Sequence, residues 1–176
     1  MGDIRPFLDH IPQLAEEVYV DPRACLIGDV VIGARSSVWP GVVIRGDVNR
    51  IRIGSETNIQ DNSVLHNSHD GEYLPGGTPL LIGDRVTVGH GVILHGCEVG
   101  ELCLIGMGAI VLDQAVIEPE VILGAGSLVP GGKVLESGYL YTGSPARQSR
   151  PLTEREKEFL AYSAGHYVRL AQAHKG

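Results

Sequence analysis

An aliphatic residue recurs at almost every sixth position along most of the chain, often followed by glycine or a small polar residue. A period of six is neither the 3.6-residue period of an amphipathic helix nor the two-residue alternation of an ordinary strand. It is typical of repeat proteins, whose units bury their apolar residues only by stacking on one another. The recurring positions are Leu14, Val20, Leu26, Ile32, Val38, Ile44, Ile53, Ile59, Leu65, Ile82, Val88, Leu94, Val99, Ile105, Val111, Val116, Ile122, Leu128 and Val134.

Three hexapeptides form one 18-residue coil, so the series predicts a parallel β-helix of about seven coils over residues 1–142. Two breaks interrupt the period. Ile44 and Ile53 are 53 − 44 = 9 apart, three more than six, and Leu65 and Ile82 are 82 − 65 = 17 apart, 11 more than six. The second break predicts an inserted loop at 67–81. Loops inserted into a regular scaffold often carry function.

The chain from 143 to 176 lacks the repeat, and it is predicted to be a linker followed by a C-terminal α-helix. The stretch GSPAR (143–147) indicates a turn or linker. Thr153 and Glu156 have the T-x-x-E spacing of a capping box. The helix is expected to pack on the β-helix or on a neighbouring subunit, through an apolar stripe formed by Phe159, Leu160, Ser163, Tyr167 and Leu170.

Composition excludes several classes of function. The 24 glycines among 176 residues are spread evenly, which indicates many tight turns, and the formal charge of −7 argues against a nucleic-acid partner. No apolar run approaches the length of a membrane span, and the first residues lack a signal-peptide core. Three cysteines without metal-pair spacing favour reduced thiols. We therefore expect a cytoplasmic protein without membrane or nucleic-acid partners.

Two histidines share one phase of the repeat. His66 follows Leu65 and His95 follows Leu94, and their separation of 29 becomes 29 − 11 = 18, one coil, once the loop is subtracted. Adjacent rungs lie about 4.8 Å apart, so both imidazoles can bind one ion at a Zn–N distance near 2.1 Å. His90 has a different phase, on the preceding face, so its side chain cannot readily reach that ion but can reach one held by a neighbouring copy. Three histidines with an open position are the layout of a catalytic zinc.

Three motifs in order give the sequence a familiar pattern: WPGVVIRGD (39–47), IGSETNIQDNSVLH (53–66) and VTVGHGVILHGC (86–97). With them the chain resembles the γ-class carbonic anhydrases and their close relatives among bacterial hexapeptide-repeat proteins. The resemblance implies a left-handed parallel β-helix and a homotrimer with metal at its subunit interfaces. It also implies an activity in which metal-bound hydroxide attacks CO2 to give bicarbonate. Zn²⁺ is the expected metal, although Fe²⁺ or Co²⁺ would also suit three imidazoles.

The resemblance also implies roles for individual residues. The metal ligands are His66, His90 and His95. Arg45, Asp47 and Asp61 match residues of the subunit interface, and the phases of Arg45 and Asp61 predict an ion pair between chains. Gln60 and Asn58 match polar groups beside the metal-bound water, and Tyr167 matches a tyrosine that lines the pocket.

One departure from the family pattern concerns proton transfer. Val48 stands where the active prototype has a glutamate, and His69 aligns roughly with a second glutamate in the loop. Because an unperturbed imidazole titrates near neutrality, His69 is a candidate proton shuttle, with Asp70 and Glu72 nearby.

Three other functions remain open at the level of sequence. The same metal site could hydrolyse another substrate such as a thioester. A hexapeptide acyltransferase would use acetyl-CoA and one histidine as a general base, without a metal. A trimeric assembly module would bind metal for structural reasons alone.

Overall fold

The computed structural model describes residues 2–175 and consists of short parallel strands followed by a single helix at the end of the described chain. In chain order the strands are β1 (Asp3–Arg5), β2 (Gln13–Leu14), β3 (Tyr19–Val20), β4 (Cys25–Ile32), β5 (Ser37–Val38), β6 (Val43–Ile53), β7 (Asn58–Ile59), β8 (Val64–His66), β9 (Leu80–Ile82), β10 (Thr87–Val88), β11 (Ile93–His95), β12 (Glu98–Val99), β13 (Leu104–Ile105), β14 (Ile110–Val111), β15 (Val116–Ile117), β16 (Ile122–Leu123), β17 (Leu128–Val129), β18 (Val134–Leu135), β19 (Tyr139–Gly143) and β20 (Ala146–Pro151), and the helix is α1 (Glu154–Lys175).

The strands stack into three faces of a prism. Face 1 contains β1, the first half of β4 and of β6, β8, β11, β14 and β17, and face 2 contains β2, the second half of β4 and of β6, β9, β12, β15 and β18. Face 3 contains β3, β5, β7, β10, β13, β16 and β19. Strands β4 and β6 bend round the corner between faces 1 and 2. The predicted parallel β-helix of hexapeptide repeats is thereby confirmed.

The inward column forms the core and confirms the six-residue period, with one correction. From Leu26 to Val111 the predicted aliphatic positions are buried. Val116, Ile122, Leu128 and Val134 were wrong as core positions. These four face outward, because each is the first of two adjacent aliphatic residues and the sequence does not say which points inward. The buried column continues instead at Ile117, Leu123, Val129 and Leu135.

Both predicted breaks in the repeat are insertions at the corner between faces 1 and 2. Gly28 pairs with Gly46, but Val30 pairs with Ile51, so the bend of β6 at 47–50, the first insertion, contains three extra residues. Ile53 pairs with Ile82 and Leu65 with Leu94, which places the 11 extra residues between β8 and β9. The two insertions therefore lie on adjacent rungs of one corner.

The segment expected as a linker adds a strand. β20 pairs antiparallel with β19 and so follows the last parallel rung of face 3. Helix α1 then packs against face 3 through Leu160, Ser163, Ala164 and Ala171. Phe159, predicted to lie in the buried stripe, is instead 49% exposed. The ends of the predicted ranges, residues 1 and 176, fall outside the described residues.

The capping box at the start of α1 is confirmed. The Thr153 backbone N–H donates to the Glu156 carboxylate at 2.8 Å, and the Glu156 N–H donates to Thr153 Oγ1 at 3.3 Å. Glu156 also accepts two hydrogen bonds from the Arg150 guanidinium. Within residues 2–175, no helix combines the length and apolarity that crossing a bilayer requires.

The cap makes helix stability depend on pH. The hydrogen bonds from Arg150 and Thr153 lower the pKa of Glu156 from 4.5 to about 2. A depressed carboxyl pKa stabilises the folded state fully above the unfolded value and loses that effect as the pH falls through the folded value. We expect wild type to melt above Glu156→Gln at pH values over 4.5, and the gap to close as the pH falls toward 2.

Calorimetry across that pH range measures both melting temperatures. Glu154→Gln is the control, since Glu154 lies in the same first turn and pairs with Lys157 on the exposed helix surface. A gap between wild type and Glu156→Gln that does not change with pH would contradict the assignment.

Candidate metal centre

His66 and His95 are neighbours on adjacent rungs of face 1. They end strands β8 and β11, and the register of these strands pairs them directly. His66 Nδ1 lies 3.1 Å from His95 Nε2. The shared phase predicted from the sequence is therefore confirmed, and both side chains project at the corner that carries the two insertions.

Each of these imidazoles also contacts a carboxylate through its other ring nitrogen. His66 Nε2 lies 3.1 Å from Asp47 Oδ1, and His95 Nδ1 lies 3.0 Å from Asp113 Oδ1. Asp47 belongs to the first insertion, and its second oxygen accepts a hydrogen bond from Arg45 at 2.7 Å. The pair of histidines is thus held between two acidic groups.

Both carboxylates are ionised. Burial raises the pKa of Asp47, but hydrogen bonds from Arg45 and His66 outweigh it and leave that pKa below its usual value. Burial likewise raises the pKa of Asp113, and hydrogen bonds from Thr78, Ser68 and His95 more than offset it. An ionised carboxylate only accepts hydrogen bonds, so the imidazole nitrogen facing each one carries the ring proton.

This donor pattern fits a metal cation. A neutral imidazole has one N–H, and in both rings it points outward to a carboxylate, so the two inner nitrogens face each other as lone pairs. Two facing acceptors repel each other unless a cation lies between them. Burial lowers the pKa of His66, which disfavours a proton between the two nitrogens. Two Zn–N bonds of about 2.1 Å at a tetrahedral angle place their nitrogens roughly 3.4 Å apart, close to the spacing observed.

His90 lies at a different corner of the prism. It occupies the turn between β10 and β11, where face 3 meets face 1, and its Nδ1 lies 3.0 Å from Asp61 Oδ2. His95 follows His90 by five residues, partly in the turn and partly in β11, so the two histidines lie at opposite corners of face 1. Accordingly, within residues 2–175 no group of three or more histidine, cysteine or acidic side chains is arranged to hold a metal.

His90 forms one end of an apolar cleft between face 3 and α1. The cleft has a volume of about 470 Å³, and Gln60 and Tyr167 line it together with His90. Gln60 Nε2 donates to Asn58 Oδ1 at 3.1 Å, and Asn58 Nδ2 donates to Thr87 Oγ1 at 3.1 Å. This buried amide chain fixes the side chains predicted from the family pattern, although their chemical roles stay predictions.

Tyr167 is positioned by aromatic packing as well as by the cleft. Its ring meets Trp39 edge-on, with centroids 5.8 Å apart. Burial, and then the negative charge of Asp61, raise the pKa of Tyr167, so its hydroxyl keeps its proton.

The remaining predicted residues are exposed in the insertions or form ion pairs within the chain. His69 is exposed in the inserted loop, and Val48 is exposed in the first insertion. Within the chain Arg45 pairs with Asp47, and Asp61 pairs with His90. An Arg45–Asp61 pair between chains stays a prediction.

Asp113 was missed by the sequence analysis. It lies 18 residues, one coil, after His95, and this spacing was the available signal. A single aspartate in a turn gave no reason to compare its position with that of His95.

Comparison with known proteins identifies the family. The family described as "Bacterial transferase hexapeptide (six repeats)" matches residues 12–46. "Protein YrdA" of Escherichia coli is 54% identical over 170 residues, which covers 96% of this chain and 92% of that protein. A "Carbonic anhydrase" of Geobacillus kaustophilus is 44% identical, covering 98% of this chain and 91% of that protein.

A plant relative carries the class name. "Gamma carbonic anhydrase 1, mitochondrial" of Arabidopsis thaliana is 47% identical over 94% of this chain, which spans 60% of that longer protein. The stacked hexapeptide coils, the paired histidines and these similarities agree. The chain belongs to the hexapeptide-repeat family that includes the γ-class carbonic anhydrases.

Proposed function

We propose that this protein is a metal-dependent carbonic anhydrase-like enzyme that converts CO2 to bicarbonate at the interfaces of a homotrimer. The observation that carries the proposal is the His66–His95 pair, whose two inner nitrogens face each other with their protons turned toward Asp47 and Asp113. Relatives named as carbonic anhydrases support it. His66 and His95 of one chain and His90 of the next would hold the metal, with Zn²⁺ preferred and Fe²⁺ or Co²⁺ as alternatives.

The surface of face 1 supports the trimer. Its outward positions form a continuous aliphatic ladder in strand register: Val43, Val64, Ile93, Ile110 and Leu128. Val64 is 41% exposed and Ile93 is 39% exposed. Apolar ladders of this kind mark protein interfaces. Three copies of face 1 packed around one axis would bury the ladders and bring the His66–His95 corner of each chain to the His90 corner of the next.

Each group of the site has a part in this chemistry. A bound metal would supply a hydroxide nucleophile near neutral pH. Asp47 and Asp113 hold the imidazoles in the tautomer that leaves the inner nitrogens free to bind. The Gln60–Asn58 amide chain orients polar atoms beside the metal, and Tyr167 helps to exclude water from the cleft. We place the enzyme in the cytoplasm, in keeping with cysteines that are free throughout residues 2–175.

CO2 hydration is the direct test. Stopped-flow measurement on the zinc-loaded protein should show hydration that His95→Ala abolishes, because the substitution removes one inner nitrogen of the pair. The control is the oligomeric mass of the variant, which should match wild type. A zinc-bound wild type that is stabilised by zinc but hydrates no CO2 would contradict this function and favour the assembly-module alternative.

Subunit complementation tests the shared site. His90→Ala and His95→Ala should each form trimers without high-affinity zinc sites. Co-refolding the two variants should restore one site in every mixed trimer, where intact His66 and His95 of one chain meet intact His90 of the next. Zinc per trimer, measured by mass spectrometry, reports the result. Zinc binding by His90→Ala alone at wild-type stoichiometry would show that the neighbouring chain contributes no ligand.

His69 is proposed as the proton shuttle in place of the glutamate that Val48 replaces. It is exposed and directly follows Ser68, whose hydroxyl donates to Asp113. His69→Ala should slow CO2 hydration about 10- to 100-fold in weak buffer and change the pH-rate profile. Added imidazole buffer should restore much of the rate. An unchanged profile would exclude His69 from proton transfer.

A second candidate function follows from the size of the apolar cleft. CO2 has three heavy atoms and fills a small part of 470 Å³, a volume in the range of pockets for much larger ligands. The wall away from His90 includes Ile122, Ala125 and Phe159. This lining favours an ester or thioester whose apolar acyl group lies along α1, hydrolysed at the same metal centre.

Filling the cleft separates the two candidates. Ala125→Phe should lower hydrolysis of an arylacyl thioester by at least tenfold while CO2 hydration is retained, since the added ring occupies the acyl position. Ala161→Phe, on the exposed surface of α1, is the control. Equal thioester hydrolysis in both variants would show that the cleft does not bind the acyl group.

A further inference from the structure

Asp113 joins the inserted loop to the histidine pair. Its Oδ1 accepts hydrogen bonds from Thr78 Oγ1 at 2.7 Å, from Ser68 Oγ at 3.0 Å and from His95 Nδ1 at 3.0 Å. Ser68 and Thr78 lie at opposite ends of the loop, 45 and 35 residues from Asp113 in sequence. One carboxylate oxygen therefore connects both ends of the loop to His95.

Ser68 and Thr78 close the neck of the loop. Ser68 N–H donates to the Thr78 carbonyl at 3.2 Å, and Thr78 N–H donates to the Ser68 carbonyl at 3.1 Å. Both hydroxyls then point to Asp113. The outer part of the loop has its own support, since Asp70 Oδ1 accepts the Gly76 N–H at 2.6 Å and Gly71 pairs with Leu74.

Gly96 leaves the space for this junction. A Cβ at position 96 would overlap both Asp113 Oδ1 and Thr78 Oγ1, and the backbone there has φ = 52°. Any other side chain directly after His95 would push apart the hydroxyl and the carboxylate. The junction thus depends on a glycine in a conformation that glycine adopts without strain.

The first insertion is tied into the same network. Asn49 Nδ2 donates to the Ser68 carbonyl at 3.2 Å, and Asn67 Nδ2 donates to the Asn49 carbonyl at 2.7 Å. This insertion also supplies Asp47, the carboxylate that contacts His66. Both imidazoles are therefore oriented by carboxylates that belong to, or are held by, the two insertions.

We propose that Asp113 is a positioning residue that sets the tautomer of His95 and couples metal binding to the order of the loop at 67–81. The Asp113 carboxylate accepts a hydrogen bond from His95 Nδ1–H, and this tautomer leaves Nε2 unprotonated toward His66. Ser68 and Thr78 hold the same carboxylate in place. When the neck of the loop is closed, His95 is therefore held in the tautomer that can bind metal. By reciprocity, a metal bound to His95 stabilises the closed neck by the same free energy. This inference rests on the proposed metal site.

The test uses Asp113→Asn in the metal-free protein first. The asparagine keeps one oxygen for the Ser68 and Thr78 hydroxyls, but it loses the negative charge and replaces the second carboxylate oxygen, 3.1 Å from His95 Nδ1, with an N–H₂ group that opposes a proton on that nitrogen. Nitrogen-15 NMR of histidine-labelled protein, at a pH where imidazoles are neutral, should show His95 as the Nδ1–H tautomer in wild type and as the Nε2–H tautomer in the variant. A role limited to stability would leave the tautomer unchanged, and that result would overturn the proposal.

Zinc affinity and loop exchange are then measured on the same proteins. Asp113→Asn should weaken zinc binding, by competition with a chromophoric chelator, about 10- to 100-fold. Thr78→Val should weaken it less and should speed amide hydrogen exchange over 67–81. Zinc should slow that exchange in wild type and no longer do so in Asp113→Asn. Zinc affinity within twofold of wild type in Asp113→Asn, or loop exchange indifferent to zinc in wild type, would overturn the coupling.

Asp70→Ala is the matched control. It loosens the outer part of the loop without touching the neck, so exchange at 70–76 should rise while zinc affinity and the His95 tautomer stay as in wild type. Equal loss of zinc affinity in Asp70→Ala would show that general loop mobility, and not Asp113, controls the site. A wild type that binds no zinc would refute the proposed function, whereas the tautomer measurement would still decide the role of Asp113.

Discussion

The register of parallel hydrogen bonds between successive coils is the constraint on which the rest of this structure depends. Each coil is aligned with the next through short strands, and a shift of one residue would turn every inward aliphatic side chain outward. The register therefore cannot slip without exposing the core. It is this alignment that places His95 directly over His66 after an interruption of 11 residues.

The insertions exploit that rigid frame. Extra residues at a corner between coils of fixed register do not disturb the core. Both insertions lie at the corner between faces 1 and 2. Their polar side chains then hydrogen-bond to one another and to the two imidazoles, through Asp47 and Asp113. The scaffold fixes the histidine backbones, and the insertions fix the orientation of the rings.

The prism shape also explains why the three proposed ligands do not meet within one chain. Strands of face 1 run straight between two corners, so residues at opposite corners cannot converge within the chain. The proposed site is completed by closing three prisms around an axis, which would bury the aliphatic ladder on face 1 at the same time. Metal binding and assembly would then depend on the same surface.

Much of this protein can be read from its sequence, because a six-residue period in aliphatic side chains has few structural solutions. The period determined the β-helix, and simple subtraction of the insertion aligned His66 with His95. The T-x-x-E spacing determined the start of α1. These features are local, or they repeat at a fixed interval, so spacing alone is enough to find them.

Other features were decided only by the tertiary structure. Where two aliphatic residues are adjacent, as at Val116 and Ile117, packing decided which one is buried. The antiparallel pairing of β20 arises from a free sheet edge that the sequence does not show. The role of Asp113 depends on hydroxyls 35 and 45 residues away. Such contacts depend on side-chain directions at a corner of the folded prism, and those directions cannot be deduced from spacing along the sequence.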